Sequence, residues 1–207
     1  MARLNVNPTR MELKKLKARL ATATRGHKLL KDKSDEMIRR FTMILRETKT
    51  LREEVEQRLA EVLKQFSVAR SLTGAEQLET AFALPAVAVN VECETESIMG
   101  VEVPKLNVVN TDQREKVLPY AYSEITGEAD ESVAQASELL PTMIRLAQKE
   151  KAVRMLAEEI ERNKRRVNAL EYVMIPQLEE TIKYIKDKLA ENERASVVRL
   201  MKVKANG

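Results

Sequence analysis

The sequence predicts a mainly α-helical protein: a long antiparallel two-helix coiled coil, with a small acidic middle region that contains a β-hairpin. Three observations carry this expectation. First, 33 % of the 207 residues are charged and 43 % hydrophobic, yet only 3 % are aromatic, with five Gly, six Pro and no Trp. Such a composition suits long helices and supplies too few turn residues and aromatics for a sandwich or barrel. Second, apolar residues recur in steps of three and four through both ends of the chain. Third, the middle switches to a period of two. The single Cys93 excludes an internal disulfide framework, and the hydrophobic content is too high for a disordered chain.

The first helix is expected over residues 8–71. Asn7 is a candidate cap with Pro8 at the first helical position, and Thr9 with Glu12 forms an alternative capping box. Gly26 is then the only Gly or Pro before Gly74. At ~1.5 Å per residue the helix would extend about 90 Å. Its seam passes through Leu13, Leu16, Leu20, Ala23, His27, Leu30, Ser34, Met37, Phe41, Ile44, Thr48, Leu51 and Val55. A second consecutive step of four then leads to Leu59, Val62, Phe66 and Ala69. This is a heptad seam with one stutter near Val55, where a left-handed supercoil unwinds locally.

The last helix is expected over residues 130–204. Its seam includes Leu139, Met143, Leu146, Glu150, Val153, Leu156, Ile160, Asn163, Val167, Leu170, Met174, Leu178, Ile182, Ile185 and Leu189. Pro141 marks a late start or a bend. Pro176 has strong pattern on both sides; it removes one hydrogen bond and crowds the carbonyl of Tyr172, so a kink is expected there, not an end. Two such helices cover their seams most economically by pairing antiparallel within one chain. Both termini then share one tip. A register in which facing residue numbers sum to about 211 places Thr48 opposite Asn163 and Phe41 opposite Leu170. The units expected are residues 1–71, 72–129 and 130–207, forming one structural whole.

Between the helices, Val87, Val89, Val91 and Cys93 alternate with Ala88, Asn90, Glu92 and Glu94. This is the pattern of a half-buried strand. Residues 98–103 are its candidate return, with Gly100 near the bend. Pro104 and Pro119 belong to loops or edges. A lone hairpin is marginal in water, so it should pack on the helices, on a partner, or on both.

No constellation for chemistry is evident. The scattered glycines form neither a phosphate-binding nor a dinucleotide loop. One His and one Cys do not build a zinc site. His27 lies on the seam and reads as a packed residue, not a catalyst, and Cys93 as a small apolar side chain. No catalytic residue, cofactor or metal is expected. No apolar stretch reaches the ~18 residues of a membrane span, and residues 1–8 hold no signal core.

Charge is unevenly spread. Residues 9–40 carry eleven Lys/Arg against four Asp/Glu, a net of +7; residues 71–142 carry a net of −10, and residues 145–205 a net of +5. The mixed charges and acidic middle argue against a nucleic-acid binder. The basic run Arg25, Lys28, Lys31 and Lys33 reads as a solvated helix face or as a docking surface for an acidic loop.

Two long motifs are then informative. Residues 5–33, NVNPTRMELKKLKARLATATRGHKLLKDK, closely resemble the N-terminal helix of the D-subunit family of V-type and A-type ATPases. Residues 165–194, RRVNALEYVMIPQLEETIKYIKDKLAENER, resemble its C-terminal helix, including the mid-helix Pro176. The acidic middle matches in layout. The resemblance implies a non-catalytic rotor shaft in the central stalk of a rotary ATPase, cytoplasmic and peripheral to the membrane. Its coiled coil would enter, termini first, a hexamer of catalytic and nucleotide-binding subunits. Its other end would bind the small F subunit, and a funnel-like subunit would link the shaft to the membrane ring that carries H⁺ or Na⁺. By position, Arg10, Lys14, Leu200, Met201 and Lys202 would sit deep in the hexamer bore, with Arg25, Lys28, Lys31 and Lys33 lower down. Val87, Val89 and Val91 would meet the F subunit or the funnel-like one. A stand-alone coiled-coil adaptor is the alternative.

Overall fold

A computed structural model of the chain describes residues 3–83, 89–109 and 126–205. The order is α1 (Arg10–Leu72), α2 (Ala75–Ala81), β1 (Asn90–Ile98), β2 (Val101–Val109), α3 (Gly127–Ala169), a π-helical turn (Leu170–Met174) and α4 (Ile175–Ala205). Long helices and one small antiparallel hairpin make the protein mainly α, as the periodicities predict. The chain divides into two compact units, Met1–Ile38 with Glu159–Gly207, and Arg39–Glu158.

In the first unit, Thr9 caps α1, although only its half of the expected capping box forms: the Thr9 amide donates to the Asn7 carbonyl, and Glu12 accepts from Lys15. Thr9 Oγ1 accepts from the Glu12 amide at 3.2 Å, and the Leu13 amide donates to the Thr9 carbonyl at 3.0 Å. Pro8 therefore precedes the helix instead of opening it. The two helical stretches run antiparallel. Arg10 pairs with Glu193 at 2.6 Å, His27 with Glu171 at 3.2 Å, and Asn163 Nδ2 donates to Met37 Sδ at 3.4 Å. Leu16, Ala23, Leu178, Ile182 and Ile185 form the buried cluster, flanked by Leu13, Leu20, Leu170, Ile175 and Leu189. The facing numbers sum to about 200, so the expected register, with Asn163 opposite Thr48 and Phe41 opposite Leu170, is corrected by more than a heptad. Asn163 meets Met37, and Glu171, next to Leu170, meets His27.

The residues before α1 supply a third strand of packing that the sequence did not announce. The Leu4 amide donates to Thr181 Oγ1 at 3.2 Å, the Arg3 guanidinium lies 4.4 Å from the Tyr184 ring centroid, and Val6 joins the apolar cluster. Since Arg10 pairs with Glu193, residues 3–9 fold back along α4.

Pro176 does not end the helix. The Ile175 amide bonds the Leu170 carbonyl, an i→i−5 bond that makes the π turn. The wider turn lies just ahead of the ring and gives the Tyr172 carbonyl room. It also corrects the seam. Eight residues from Leu170 to Leu178 exceed two ordinary α turns by about 0.2 turn; one widened turn absorbs that excess. Ile175 consequently takes the seam position expected of Met174, which is 39 % exposed.

In the second unit, α1 and α3 are again antiparallel, with Lys149 bonded to Glu47 at 2.8 Å and Arg52 to Glu150 at 3.4 Å. Val55, Val62, Leu139, Ala152 and Leu156 are buried. Thr48 is buried too and turns its hydroxyl onto the Ile44 carbonyl at 2.7 Å. The helix ends are tied by Thr73 and Thr126, whose hydroxyls lie 3.4 Å apart. With one end at Leu72 and the other at Gly127, this closure sets the register. Pro141 lies inside α3, which begins fourteen residues before it, so it does not mark a late start. The short α2 was not expected. It places Leu78 against Ala69 and Ala129, and Phe82 against Phe66 with ring centroids 5.7 Å apart.

The hairpin joins two nine-residue strands through Met99 (φ 57°) and Gly100 (φ 85°), both left-handed as a type I′ turn requires. Ile98 pairs with Val101 and Asn90 with Val109. The first strand thus lies later than the valine alternation indicates, and Val87 lies outside the described residues. The half-buried strand is β2, not β1: Val103 is 3 % exposed, while every β1 residue except Ile98 is exposed. Pro104 sits within β2, at an edge position.

Candidate interaction surfaces

Three surfaces follow from these elements. The first is the end of α4. Arg10 is the first residue of α1, and its ion pair with Glu193 is the last cross-helix bond described toward this tip. Beyond it α4 continues to Ala205, and every residue from Glu191 to Ala205 is exposed. These turns are apolar as well as basic. Leu200 is 69 % and Met201 65 % exposed, with Val197, Val198 and Val203 also in solvent. Ala190, Glu193, Arg194, Val197, Val198 and Met201 line an open groove there. A single helix end gains little from its own propensity in water, and exposed apolar surface of this kind marks an interaction site. Arg10, Lys14, Leu200, Met201 and Lys202 all lie near this end and all are exposed.

The second surface is the basic stretch of α1. Arg25, Lys28, Lys31 and Lys33 are exposed, although Arg25 also bonds back to the Ala21 carbonyl at 3.3 Å. Leu29 stands among them, 69 % exposed. Gly26 is not required for a close approach, since a Cβ there would meet nothing within 4 Å. His27 is a half-buried seam residue paired with Glu171, as its seam position implies.

The third surface is the hairpin. Val89 is half-buried just before β1, and Val91 is 44 % exposed within it. Glu92, Glu94 and Glu96 share one face, where Glu94 meets Lys105 at 3.9 Å. Cys93 is exposed. Pro176 is half-buried at the start of α4.

Among the described residues, no group of three or more His, Cys, Asp or Glu is placed to hold a metal, and no helix is long and apolar enough to cross a membrane. Lys188 and Glu191 form a surface pair at 2.7 Å, whose hydrogen bond raises the lysine pKa and lowers that of the carboxyl. The fold defines a class: a mainly α protein of paired long helices with a small antiparallel hairpin. Comparison with known proteins narrows it. A family model described as the D subunit of ATP synthase matches residues 12–205. The V-type ATP synthase D subunit of Acetivibrio thermocellus is 51 % identical over 205 residues, spanning 99 % of this chain and 92 % of that protein. The same-named protein of Clostridium novyi is 50 % identical over 206 residues, with 99 % and 95 % covered. That of Streptococcus pyogenes is 49 % identical over 206 residues, with 98 % and 99 % covered. The chain belongs to the D-subunit family of ATP synthases.

Proposed function

We propose that this chain is the non-catalytic central-stalk rotor shaft of a V-type or A-type ATPase. It couples ATP hydrolysis or synthesis in the catalytic hexamer to H⁺ or Na⁺ movement through the membrane ring. The observation that carries this reading is the end of α4, helical to Ala205 yet without a described cross-helix bond beyond Glu193 and lined with exposed Val197, Leu200 and Met201. A bore formed by the catalytic and nucleotide-binding subunits supplies the cover this end lacks. Arg10, Lys14, Leu200, Met201 and Lys202 lie in that bore, and Arg25, Lys28, Lys31 and Lys33 face its entrance. The middle segment with Val87, Val89 and Val91 faces the F subunit or the funnel-like one. The location is cytoplasmic, on a membrane-bound complex. Near-full-length identity to relatives named as the D subunit of V-type ATP synthases supports the assignment.

A shaft that turns must hold its partners without locking at one angle. Exposed Lys–carboxylate contacts suit this, each contributing only about 0–1 kcal/mol. A shaft must also be asymmetric, so that chemically equal sites become unequal; the π turn at Pro176 is the candidate source of a bend. The test is a tagged pull-down from detergent-solubilised membranes, with the ratios of bound proteins measured. One copy of this chain with three copies each of catalytic and nucleotide-binding subunits is expected. Partners without ATPase subunits would leave a stand-alone adaptor. Reversing charge at Lys28 and Lys31 should weaken coupling or assembly, and unchanged behaviour across several salt concentrations overturns the docking role of the basic stretch.

A further inference from the structure

Among the described residues, the β1 edge of the hairpin is open, and its chemistry selects what can close it. A two-residue turn makes Ile98 and Val101 a hydrogen-bonded pair, so bonded and non-bonded pairs alternate from there. Glu96–Val103, Glu94–Lys105 and Glu92–Asn107 are bonded pairs. Ser97–Glu102, Thr95–Pro104, Cys93–Leu106 and Val91–Val108 are not. At the latter positions the amides and carbonyls point away from the hairpin.

On β2 the two central outward positions have their amides accounted for. The Leu106 amide donates to Gln148 Oε1 of α3 at 3.2 Å, and Pro104 has no amide to satisfy. On β1 no described residue covers the outward groups. Among the described residues the sheet has two strands, and Val91, Cys93, Thr95 and Ser97 are all exposed. β1 contains no proline, no bulge and no lysine, three common protections of an edge. What it carries instead is a row of glutamates. Glu92, Glu94 and Glu96 occupy one face, and Val91, Cys93 and Thr95 the other. A second copy pairing through β1 would bring like charges together on that face, which destabilises strand pairing. An added strand with Lys or Arg at alternate positions meets the glutamates, and its small or apolar residues meet Val91 and Cys93.

We propose that β1 is a docking edge that receives an extended segment of a partner protein as a third strand, one that alternates basic with small or apolar residues. Main-chain bonds to Val91, Cys93, Thr95 and Ser97 supply affinity, and the glutamate row supplies selectivity. The proposal deepens the reading that the hairpin faces a neighbouring subunit, and names how it does so.

The experiment is residue-resolved amide exchange of the full chain, alone and within the assembled complex recovered by the pull-down. It is repeated on the isolated chain with a short peptide of alternating Lys and Thr, and with the same peptide carrying Glu for Lys. The amides of Val91, Cys93, Thr95 and Ser97 should slow by at least about tenfold in the complex, and with the Lys peptide but not the Glu peptide. Thr95→Pro removes one outward amide opposite Pro104 while leaving the bonded positions intact. It should weaken docking about tenfold with the Glu94 and Glu96 amides still protected. Glu92→Lys with Glu94→Lys should reverse the peptide preference. Slowed exchange at other hairpin amides in the complex with these four amides still exchanging freely overturns strand addition and leaves the docked hairpin standing. No change anywhere in the hairpin overturns both. Association of the isolated chain through β1 overturns the choice of a basic partner.

Discussion

α1 and the chain that returns from Gly127 to Ala205 carry equally regular seams in sequence, but only one keeps it throughout. Every seam residue of α1 from Leu13 to Ala69 is buried or half-buried. In the returning chain, Met143 and Met174 are each 39 % exposed, and each lies two residues from a proline. At Pro176 the physical reason is visible, because the π turn passes the seam from Met174 to Ile175. At Pro141 the helix stays α, and the structure offers no comparable device for Met143. Met143 therefore departs from the heptad expectation with the pitch kept, whereas at Pro176 the pitch itself explains the departure. Heptad spacing stops predicting burial at Pro176 because a missing amide there goes with a changed number of residues per turn.

The strongest way to break this comparison is to test whether the two chains are equal where both are regular. Met37 and Ile185 are fully buried, one on each side. Met37→Ala and Ile185→Ala should each cost about 2–5 kcal/mol in denaturant unfolding. Met37→Ala lies toward the upper end, because it also removes the sulfur acceptor of the buried Asn163 amide. Leu200→Ala, beyond the paired region, should change stability by less than about 0.5 kcal/mol. Equal costs at Ile185 and Leu200 would mean the end of α4 is already covered in the isolated chain.

A smaller effect sharpens the cause of the π turn. Pro176→Ala restores an amide and removes the ring from the Tyr172 carbonyl. We expect the turn to revert to α, straightening the helix and bringing Met174 into the seam. The gain should be about 1–2 kcal/mol, less than the ~3 kcal/mol of an unrelieved interior proline. A crystal structure that keeps the Ile175–Leu170 bond and the same curvature would assign the turn to seam phase instead.

Which parts were legible in the sequence follows the same division. The helices, their antiparallel pairing and the hairpin were legible because periodicity reports them directly. The register was not, because a seam fixes which face is buried and not the axial offset between two helices, and helix ends are poorly marked by pattern. The fold-back of residues 3–9 left one retrospective signal, Val6, alone among polar neighbours. Helix α2 left another in Leu78, Ala81 and Phe82 at helical spacing after Gly74. For β1 the alternation was real, but it does not say which strand of a hairpin docks; the Leu106–Gln148 bond decides that. Of the surfaces, the basic stretch was read from composition alone. The apolar end of α4 became a surface only when the structure showed every residue from Glu191 onward exposed.

Gly26 offers the same contrast within α1. It is the one Gly or Pro in that helix, and a Cβ there would meet nothing within 4 Å. Gly26→Ala should raise stability by about 1 kcal/mol, visible as a higher Tm. A loss would mean that the basic stretch needs a helix that opens locally.

The smallest effect lies at the last paired turn of α4, where Lys188 Nζ donates to Glu191 Oε2 at 2.7 Å. That hydrogen bond, then the lysine charge, holds the Glu191 carboxyl below its ordinary range. Its contribution is present above the unfolded carboxylate value and is lost as pH falls through the folded one. Lys188 is held above its ordinary range, first by the same hydrogen bond. Its contribution is present below the unfolded lysine value and is lost as pH rises through the folded one. The pair therefore holds across neutral pH and fails at both extremes. Both groups are exposed, so the readout is the titration midpoint of each and not global stability. Carboxyl-carbon NMR should place Glu191 below the ordinary carboxylate range, and Lys188→Met should return it there. If Glu191 already titrates in the ordinary range in the native chain, the pair does not form in solution, and this turn belongs with the unpaired end of α4 instead of the coil.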